Sequence, residues 1–362
     1  MRQRVGYVLI ALGGVAFGLG LLIRSYLYPT LVKLPLDPAA ATGQTSLLTV
    51  LTATDGTYLA VDNGTPVVKH GTITIRATVA GDLTAPEVSP GGSVAAWRTG
   101  VTVMAGDTLV GITTMEVCLD RHTAMAVSNC SRASLQIADQ KVDPPDIEGL
   151  TGTFPFNTQK QQYPFFDTAL HQAMSVQYTG TDVLNGVTVY KFVESVPPTR
   201  TMDVQVPGNL VNGDAKKSVT AGLYYDINQT FWVEPATGAP VKTQQVIRQQ
   251  LHGPDGRPGA VVLSGTFNMS DATVRQLCQQ AAAGRAQLQT LTGAPPTVAL
   301  FGGLLLIGLG VVLVLRARNH RYTRLLGTHR NNGPAEEPWW SDTQQHAMVD
   351  TDVFPNIRTE AN

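Results

Sequence analysis

Two cysteines that lie close together in the chain are the clearest candidates for covalent chemistry. Cys118 and Cys130 are twelve residues apart in the segment VCLDRHTAMAVSNC. In an oxidising compartment such a pair predicts a disulfide that closes a hairpin-like loop, and two buried free thiols are the other interpretation. In the chain-entropy model, a bridge across a loop of this size stabilises the fold by roughly 3 kcal/mol. We interpret Cys278, the third cysteine, as a small buried apolar residue or as a site of intermolecular pairing.

No motif for catalysis, nucleotide binding or metal binding occurs in the sequence. It contains no G-x-x-x-x-G-K-[ST], no G-x-G-x-x-G after a predicted strand, no H-E-x-x-H and no G-x-S-x-G. Asp120, Arg121 and His122 are adjacent, and we interpret them as a polar loop inside the cysteine-bridged hairpin. We therefore predict a protein that is not an enzyme, with no cofactor, no metal site and no catalytic residue.

Aromatic residues are concentrated in one stretch of a chain that is only 7% aromatic. The segment FPFNTQKQQYPFFD carries five of them, and FWVEPATG follows later in the sequence. They predict either an ordinary core or the wall of an apolar cavity, which would shield an acyl chain at about 0.8 kcal/mol per buried CH₂. The candidate lining residues are Phe154, Phe156, Tyr163, Phe165, Phe166 and Trp232.

Two long, uncharged apolar runs determine how the protein is placed relative to a membrane. Residues 5–23 and 298–315 are each long enough to cross about 30 Å of hydrocarbon as a helix. We predict membrane anchors at residues 1–24 and 297–316. A cleaved signal peptide is the other interpretation of the first run, but no small-x-small cleavage site follows it closely. Within this run, Gly14 and Gly18 form a G-x-x-x-G pattern that permits close helix packing, with either the second anchor or another protein as the partner.

Basic residues flank both runs on the side of the chain ends. Arg2 and Arg4 precede the first run, and five arginines follow the second. Basic residues favour the cytoplasmic side, so we expect a two-pass plasma-membrane protein with both termini in the cytoplasm. Residues 25–296 are then an extracytoplasmic domain and residues 317–362 a disordered cytoplasmic tail. Trp339-Trp340 in this tail is either a short docking motif or part of a tail with no partner.

The extracytoplasmic segment has the pattern of a β-rich domain. Short runs of β-branched residues are separated by hairpin signals at Asp55-Gly56, Asn63-Gly64 and Asn185-Gly186. A Pro-rich stretch at residues 143–148 predicts a linker, with a possible subdivision near residues 143–150. Ser270 caps a predicted juxtamembrane helix. The predicted fold class is mainly β (α+β), with a curved antiparallel sheet between two transmembrane helices.

The two anchors and four motifs together resemble a known family. The motifs are RTGVTVMAGD, VCLDRHTAMAVSNC, FPFNTQKQQYPFFD and FWVEPATG. They resemble an actinobacterial envelope family labelled PorA-like, most of whose members have no assigned function. The resemblance covers the chain from the first anchor to the second. It implies a periplasmic domain tied to mycolic-acid envelope assembly. In one branch it implies polar growth and trafficking of trehalose monomycolate beside an MmpL-type flippase.

These observations lead to one main expectation and two others. We expect a membrane-tethered accessory protein of the cell envelope that binds an envelope lipid or glycolipid similar to trehalose monomycolate, with a membrane transporter as a further partner. The second interpretation is a scaffold that works by protein contacts alone. The third is a porin-like channel, which we disfavour because the predicted strands are shorter than the 9–11 residues of a transmembrane barrel. A net charge of −1 gives no field to attract nucleic acid, and no oligomeric state is predicted.

Overall fold

A computed structural model of the protein describes residues 2–27, 30, 32–40, 45–143, 145–292 and 294–326. The predicted disorder beyond residue 326 and the Trp339-Trp340 motif lie outside these residues. Residues 11–307 form one compact unit, and residues 1–10 belong with residues 308–362 to another.

Twelve strands and three α-helices make up the described chain. Helix α1 spans Arg2–Leu22 and continues as a π-helical turn, Ile23–Leu27. Helix α2 spans Asp271–Thr292, and α3 spans Ala294–Leu326, past the predicted boundary at residue 316. The strands are β1 Leu47–Asp62, β2 Thr65–Gly81, β3 Val94–Ala105, β4 Thr108–Asp120, β5 Ser134–Ile137, β6 Gln140–Val142, β7 Tyr163–Asp167, β8 Gln172–Leu184, β9 Val187–Pro207, β10 Ser218–Glu234, β11 Ala239–His252 and β12 Pro258–Asn268.

All twelve strands belong to one sheet, in the order β6-β5-β4-β3-β2-β1-β12-β11-β10-β9-β8-β7. Every neighbouring pair is antiparallel, and the first and last strands pair with each other in the middle. The sheet is curved, and isolated bridges at Leu119–Ala126, Met125–Leu150 and Leu150–Phe165 join the β4 arm to β7. The predicted curved antiparallel sheet is therefore confirmed. Strands on both sides of residues 143–150 belong to it.

The asparagine–glycine pairs form the tight turns that their sequence favours. Asn63-Gly64 has φ values of 49° and 79°, and Asn185-Gly186 has 48° and 80°. A positive φ at both central residues defines the type I′ turn, which matches the twist of a hairpin.

Asp55-Gly56 is not a turn, and the prediction of a hairpin there is wrong. The pair lies inside β1, where the register with β2 shifts between Ala53 and Gly56. A Cβ atom at Gly56 would collide with the Ile73 side chain, so this glycine lets two strands approach closely. Such a register shift is a bulge and does not end the strand. Strands β1 and β2 therefore extend over 16 and 17 residues. The expectation of short strands is therefore wrong, and strand length gives no reason to disfavour a channel.

Two large apolar clusters stabilise the sheet. The first joins β3–β5 and β7–β10 with residues from the segments before β1 and between β6 and β7, and its most buried large side chains are Leu119, Leu135, Leu150, Phe154, Val176 and Phe192. The second joins β1, β2 and β9–β12 with one face of α2, which contributes Val274, Cys278 and Ala281. The Ser270 hydroxyl accepts a hydrogen bond from the Thr273 amide at 3.1 Å, as an N-cap does. The predicted juxtamembrane helix therefore covers part of the sheet.

Two helical segments, Gln3–Leu27 and Pro296–Arg318, are long and apolar enough to cross a membrane. Within residues 11–307, Gly13 faces α3 so closely that a Cβ atom there would lie 2.6 Å from the Gly303 carbonyl oxygen. Within the other unit, a Cβ atom at Gly6 would lie 2.9 Å from the Gly310 carbonyl oxygen. In each unit, a glycine of α1 thus lets the backbone of α3 approach closely. Gly14 and Gly18 have no atom within 4 Å of a built Cβ, so their predicted G-x-x-x-G pattern does not mediate this contact.

The segment that follows α1 is fastened to the sheet by a buried arginine. Arg121 is 7% exposed, and its Nε donates to the Leu34 carbonyl oxygen at 2.5 Å. Its Nη1 donates to the Gly92 carbonyl oxygen at 3.0 Å, and the Leu34 amide donates to the Arg121 carbonyl oxygen at 2.7 Å. The interpretation of Arg121 as part of a polar loop is therefore incomplete, because this side chain anchors the exit from the first apolar helix.

Replacing Arg121 by methionine should lower the free energy of unfolding by about 2–4 kcal/mol, because two carbonyl oxygens lose their charged donor. Chemical unfolding of the full chain in detergent measures this change. Arg257→Met is the matched control, since Arg257 makes only an exposed ion pair with Asp255, and it should cost less than about 1 kcal/mol. Equal losses in the two variants would contradict the anchoring role.

Candidate functional site

The cysteine pair is a structural feature in the folded protein. Cys118 and Cys130 form the predicted disulfide, and their sulfurs lie in an apolar cluster with Ala85 and Ala96. Ser131 is tied down next to it, since its amide donates to Glu87 at 2.7 Å. The disulfide thus closes a loop at the end of β4, and the Ser131–Glu87 hydrogen bond stabilises this loop.

The neighbouring charged residues also serve the fold. The Asp120 carboxylate accepts hydrogen bonds from the amides of His122 and Thr123 and from the Thr123 hydroxyl, which makes a local turn. Arg98 bridges Glu116 and Asp82 at 3.0 and 3.5 Å. Within the ranges that the structure describes, no group of three or more His, Cys, Asp or Glu residues is arranged to hold a metal ion.

Most of the predicted lining residues pack against one another in the first apolar cluster. Phe154, Tyr163 and Phe166 are buried there, and Phe156 and Phe165 pack against them. The Phe154 ring lies 4.8 Å from that of Phe192 and 5.6 Å from that of Tyr163. These rings fill the concave side of the sheet, where they act as core.

Trp232 lies apart from the other five aromatic residues. It belongs to the second apolar cluster, whereas its neighbours Phe231 and Val233 belong to the first. Successive side chains of a strand point to opposite faces, which accounts for the separation. The ammonium groups of Lys242 and Lys191 lie 4.6 and 5.6 Å from the indole ring.

An open cleft of about 600 Å³ lies beside the aromatic cluster. It is formed by the segment between Phe156 and Tyr163, by one residue of β9 and by the β10–β11 turn. Its lining residues are Asn157, Thr158, Gln159, Lys160, Gln161, Tyr190, Pro235 and Ala236. Amides, a hydroxyl and an ammonium group thus surround an aromatic ring.

Backbone hydrogen bonds hold the cleft open and fix its shape. The amides of Asn157 and Thr158 donate to the carbonyl oxygens of Ala236 and Pro235 at 3.1 and 2.8 Å. The Gln159 amide donates to the Tyr163 hydroxyl at 2.8 Å, so the polar segment is fastened to the core beneath it. Lys160 extends over the rings of Tyr190 and Tyr178, at 5.2 and 5.8 Å.

The cleft lies at the end of the sheet from which the chain leaves toward both apolar helices. In the strand pairing, Asn268 at the end of β12 lies opposite Thr52 in β1 and Gln244 in β11. The turn at residues 235–238 is therefore at the same end as the start of β1. Helix α2 packs on this turn, since a Cβ atom at Gly284 would lie 3.1 Å from the Thr237 methyl group.

The sequence contained a signal for this cleft that we did not use. The run NTQKQQ interrupts the aromatic segment with six consecutive polar residues. Such a run between buried aromatics indicates a polar loop held on a rigid support, where binding residues are common.

The packing of the aromatic cluster can be tested by truncation. Phe154→Ala should lower the free energy of unfolding by about 3–5 kcal/mol, because Phe154 is fully buried and leaves a cavity. Phe156→Ala is the matched control and should cost less than half as much, since Phe156 is only partly buried. Chemical unfolding measures both changes. A loss below about 1 kcal/mol for Phe154→Ala would show that this ring is not core.

Comparison with known proteins identifies the family of the chain. A family described as Porin PorA matches residues 5–312. A protein of Corynebacterium resistens named Porin PorA is 22% identical over 407 aligned residues, which cover 88% of this chain and 98% of the relative. A Porin PorA of Corynebacterium amycolatum is 24% identical over 230 residues, which cover 55% of this chain and 58% of the relative. Since the family match includes most of both apolar segments and the whole sheet between them, the chain belongs to the PorA family.

Proposed function

We propose that the protein is a membrane-tethered, non-enzymatic accessory protein of the cell envelope that binds the polar head group of an envelope lipid or glycolipid in the cleft. The observation that carries this proposal is the position of the cleft. It is open, polar and aromatic, and it lies at the end of the sheet from which both apolar helices depart.

The lining of the cleft suits a carbohydrate head group. The side chains of Asn157, Gln159 and Gln161 donate and accept hydrogen bonds, as sugar hydroxyls require. Tyr190 provides a ring against which the apolar face of a sugar can pack. A volume of about 600 Å³ is within the range of ligand pockets and fits a disaccharide such as the head of trehalose monomycolate.

The proposal assigns recognition to the head group and not to the acyl chain. Five of the six aromatic residues that were candidates for core or acyl-chain lining pack together in the first apolar cluster. The chain of a bound lipid therefore lies outside the core and can stay in the membrane.

We further propose a topology with both termini in the cytoplasm. The arginine residues that flank the apolar helices support it, as does the disulfide, which requires an oxidising compartment. Residues 1–24 and 297–316 are then the anchors, 25–296 the extracytoplasmic domain and 317–362 the cytoplasmic tail. A membrane transporter that supplies or receives the lipid is the proposed protein partner.

A scaffold role is the second candidate, and one observation favours it. Gly14 and Gly18 have no atom within 4 Å of a built Cβ, so this face of α1 is open to another membrane helix. A channel through the sheet of a single chain is not supported, because fully buried rings such as Phe154, Phe192 and Phe267 occupy its interior. A porin lumen is polar and filled with water.

Native mass spectrometry of the detergent-solubilised full chain tests the proposal. We expect a bound glycolipid, or binding of added trehalose monomycolate. Tyr190→Ala/Gln161→Ala should weaken binding at least roughly tenfold, because it removes a packing surface and a hydrogen-bonding amide. Tyr224→Ala/Gln205→Ala, which changes the same residue types toward the opposite end of the sheet, should bind normally. No bound lipid and no binding of added glycolipid would contradict the proposal, as would equal effects of the two double variants.

A further inference from the structure

Two buried carboxyl groups in the sheet form no salt bridge within the described part of the chain. Glu194 lies on β9 and is 1% exposed, and Asp167 ends β7 and is 6% exposed. Of the salt bridges formed by the described residues, none involves either group. A buried, unpaired charge is costly, so such a pair persists only if hydrogen bonds or a bound proton stabilise it.

Asp167 is stabilised by hydrogen bonds. Its Oδ1 accepts from the amides of Ala169 and Leu170 at 2.7 and 3.0 Å, and its Oδ2 accepts from the Tyr225 hydroxyl at 3.0 Å. Glu194 is different, because its buried Oε1 has no hydrogen-bond partner. The two acids therefore differ in that the Asp167 carboxylate is stabilised by hydrogen bonds and Glu194 Oε1 is not.

The hydrogen bond between Tyr225 and Asp167 crosses the sheet. Tyr225 is on β10 and Asp167 on the edge strand β7, and β8 and β9 lie between these strands. The two side chains meet only because the sheet curls over its concave face. This hydrogen bond therefore holds the edge strand β7 against β10. Val196 and Ile227 pack with Tyr225 in a small apolar cluster.

The groups that act on this site are mostly acidic. Burial, and then the negative charge of Asp167, raises the pKa of Glu194 to about 8. Burial raises the pKa of Asp167 although its three hydrogen bonds and the nearby His171 oppose the shift. Burial and the charges of Asp167, Glu194 and Asp226 raise the pKa of Tyr225, so its hydroxyl keeps its proton. At neutral pH, Glu194 is thus mainly protonated and Asp167 can carry the negative charge alone.

We propose that Asp167, Tyr225 and Glu194 form a proton-dependent fastener that holds the edge strand β7 against the sheet and loosens when Glu194 loses its proton. Ionisation of Glu194 adds a second negative charge that acts on Asp167 in a buried environment, where neither acid forms a salt bridge with a described residue. The two charges then repel each other, and the strain acts on the crossing hydrogen bond. Strand β7 yields first, because it has a partner strand on one side only and adjoins an isolated bridge at Leu150.

The sign of the pH effect follows from proton linkage. Glu194 binds its proton more tightly in the folded chain than in the unfolded chain, where its ordinary pKa is 4.5. Its contribution to stability is therefore greatest below pH 4.5 and declines as the pH rises toward about 8. Loosening of β7 should follow the ionisation of Glu194 in the folded chain, and should therefore be half complete near pH 8.

Hydrogen–deuterium exchange of the full chain in detergent, corrected for the intrinsic effect of pH, tests the fastener. Protection of β7 in the wild type should fall at least roughly tenfold between pH 6.5 and 9.5, with a midpoint near pH 8. Glu194→Gln keeps the side-chain size without the charge and should remove this pH dependence. Glu148→Gln, which changes an exposed glutamate, should behave as the wild type. Tyr225→Phe should lower the protection of β7 at every pH.

Several outcomes would overturn the proposal. They are a wild type with no pH dependence in β7, a Glu194→Gln variant with the wild-type pH dependence, and a Tyr225→Phe variant with undiminished protection. If Glu194→Gln fails to fold, the infrared band of a protonated carboxyl group in the wild type decides. Loss of this band with a midpoint near pH 8 supports the proposal, and its absence at pH 6.5 rejects it.

Discussion

The pairing of β1 with β12 is the constraint on which the rest of the structure depends. The first and last strands meet in the middle of a twelve-stranded sheet, and the other strands extend from them in two antiparallel arms. The chain therefore enters and leaves the sheet at the same place. This brings the segments that lead to the two apolar helices together at one end of the sheet. It also brings the helices α1 and α3 close enough for the contact between Gly13 and Gly303.

The curvature of the two sheet arms explains the position of the apolar core, of the cleft and of the hydrogen bond between Asp167 and Tyr225. Because β7 approaches β4 through the bridge at Leu150, the inner faces of both arms share one apolar cluster. The irregular segment between β6 and β7 contributes Phe154 to this cluster and then exposes polar residues at the rim. The same curl brings the acidic end of β7 to Tyr225 on β10. The packed inner face of the sheet therefore supports both the polar cleft and the hydrogen bond between Asp167 and Tyr225.

The sequence was informative where a local preference determines the structure. The apolar runs, the asparagine–glycine turns, the cysteine pair and the cap at Ser270 each depend on residues close in the chain, and each is present in the structure. It misled us at Asp55-Gly56, because a turn and a bulge have the same local signal and the partner strand selects between them. Gly14 and Gly18 permitted packing with either α3 or another protein, and only the packed helices show that a different face of α1 meets α3. The cleft joins Lys160, Tyr190 and Pro235 from three distant segments, and no spacing in the sequence reveals it.

Covalent trapping of the two apolar helices tests whether both ends of the sheet-forming chain lead to one place. A Cβ atom built at Gly303 lies 3.0 Å from the Cβ of Phe17, so cysteines at these two positions can form a disulfide with small adjustments. The chain would carry Phe17→Cys, Gly303→Cys, Cys278→Ser and a protease site at Asp146, which lies after both cysteines of the native disulfide. We expect the two fragments of one chain to stay linked by a disulfide after oxidation and cleavage. The control variant, with Gly14→Cys in place of Phe17→Cys, should give no such link. Fragments that separate freely in the first variant would contradict the joining of both chain ends at the centre of the sheet.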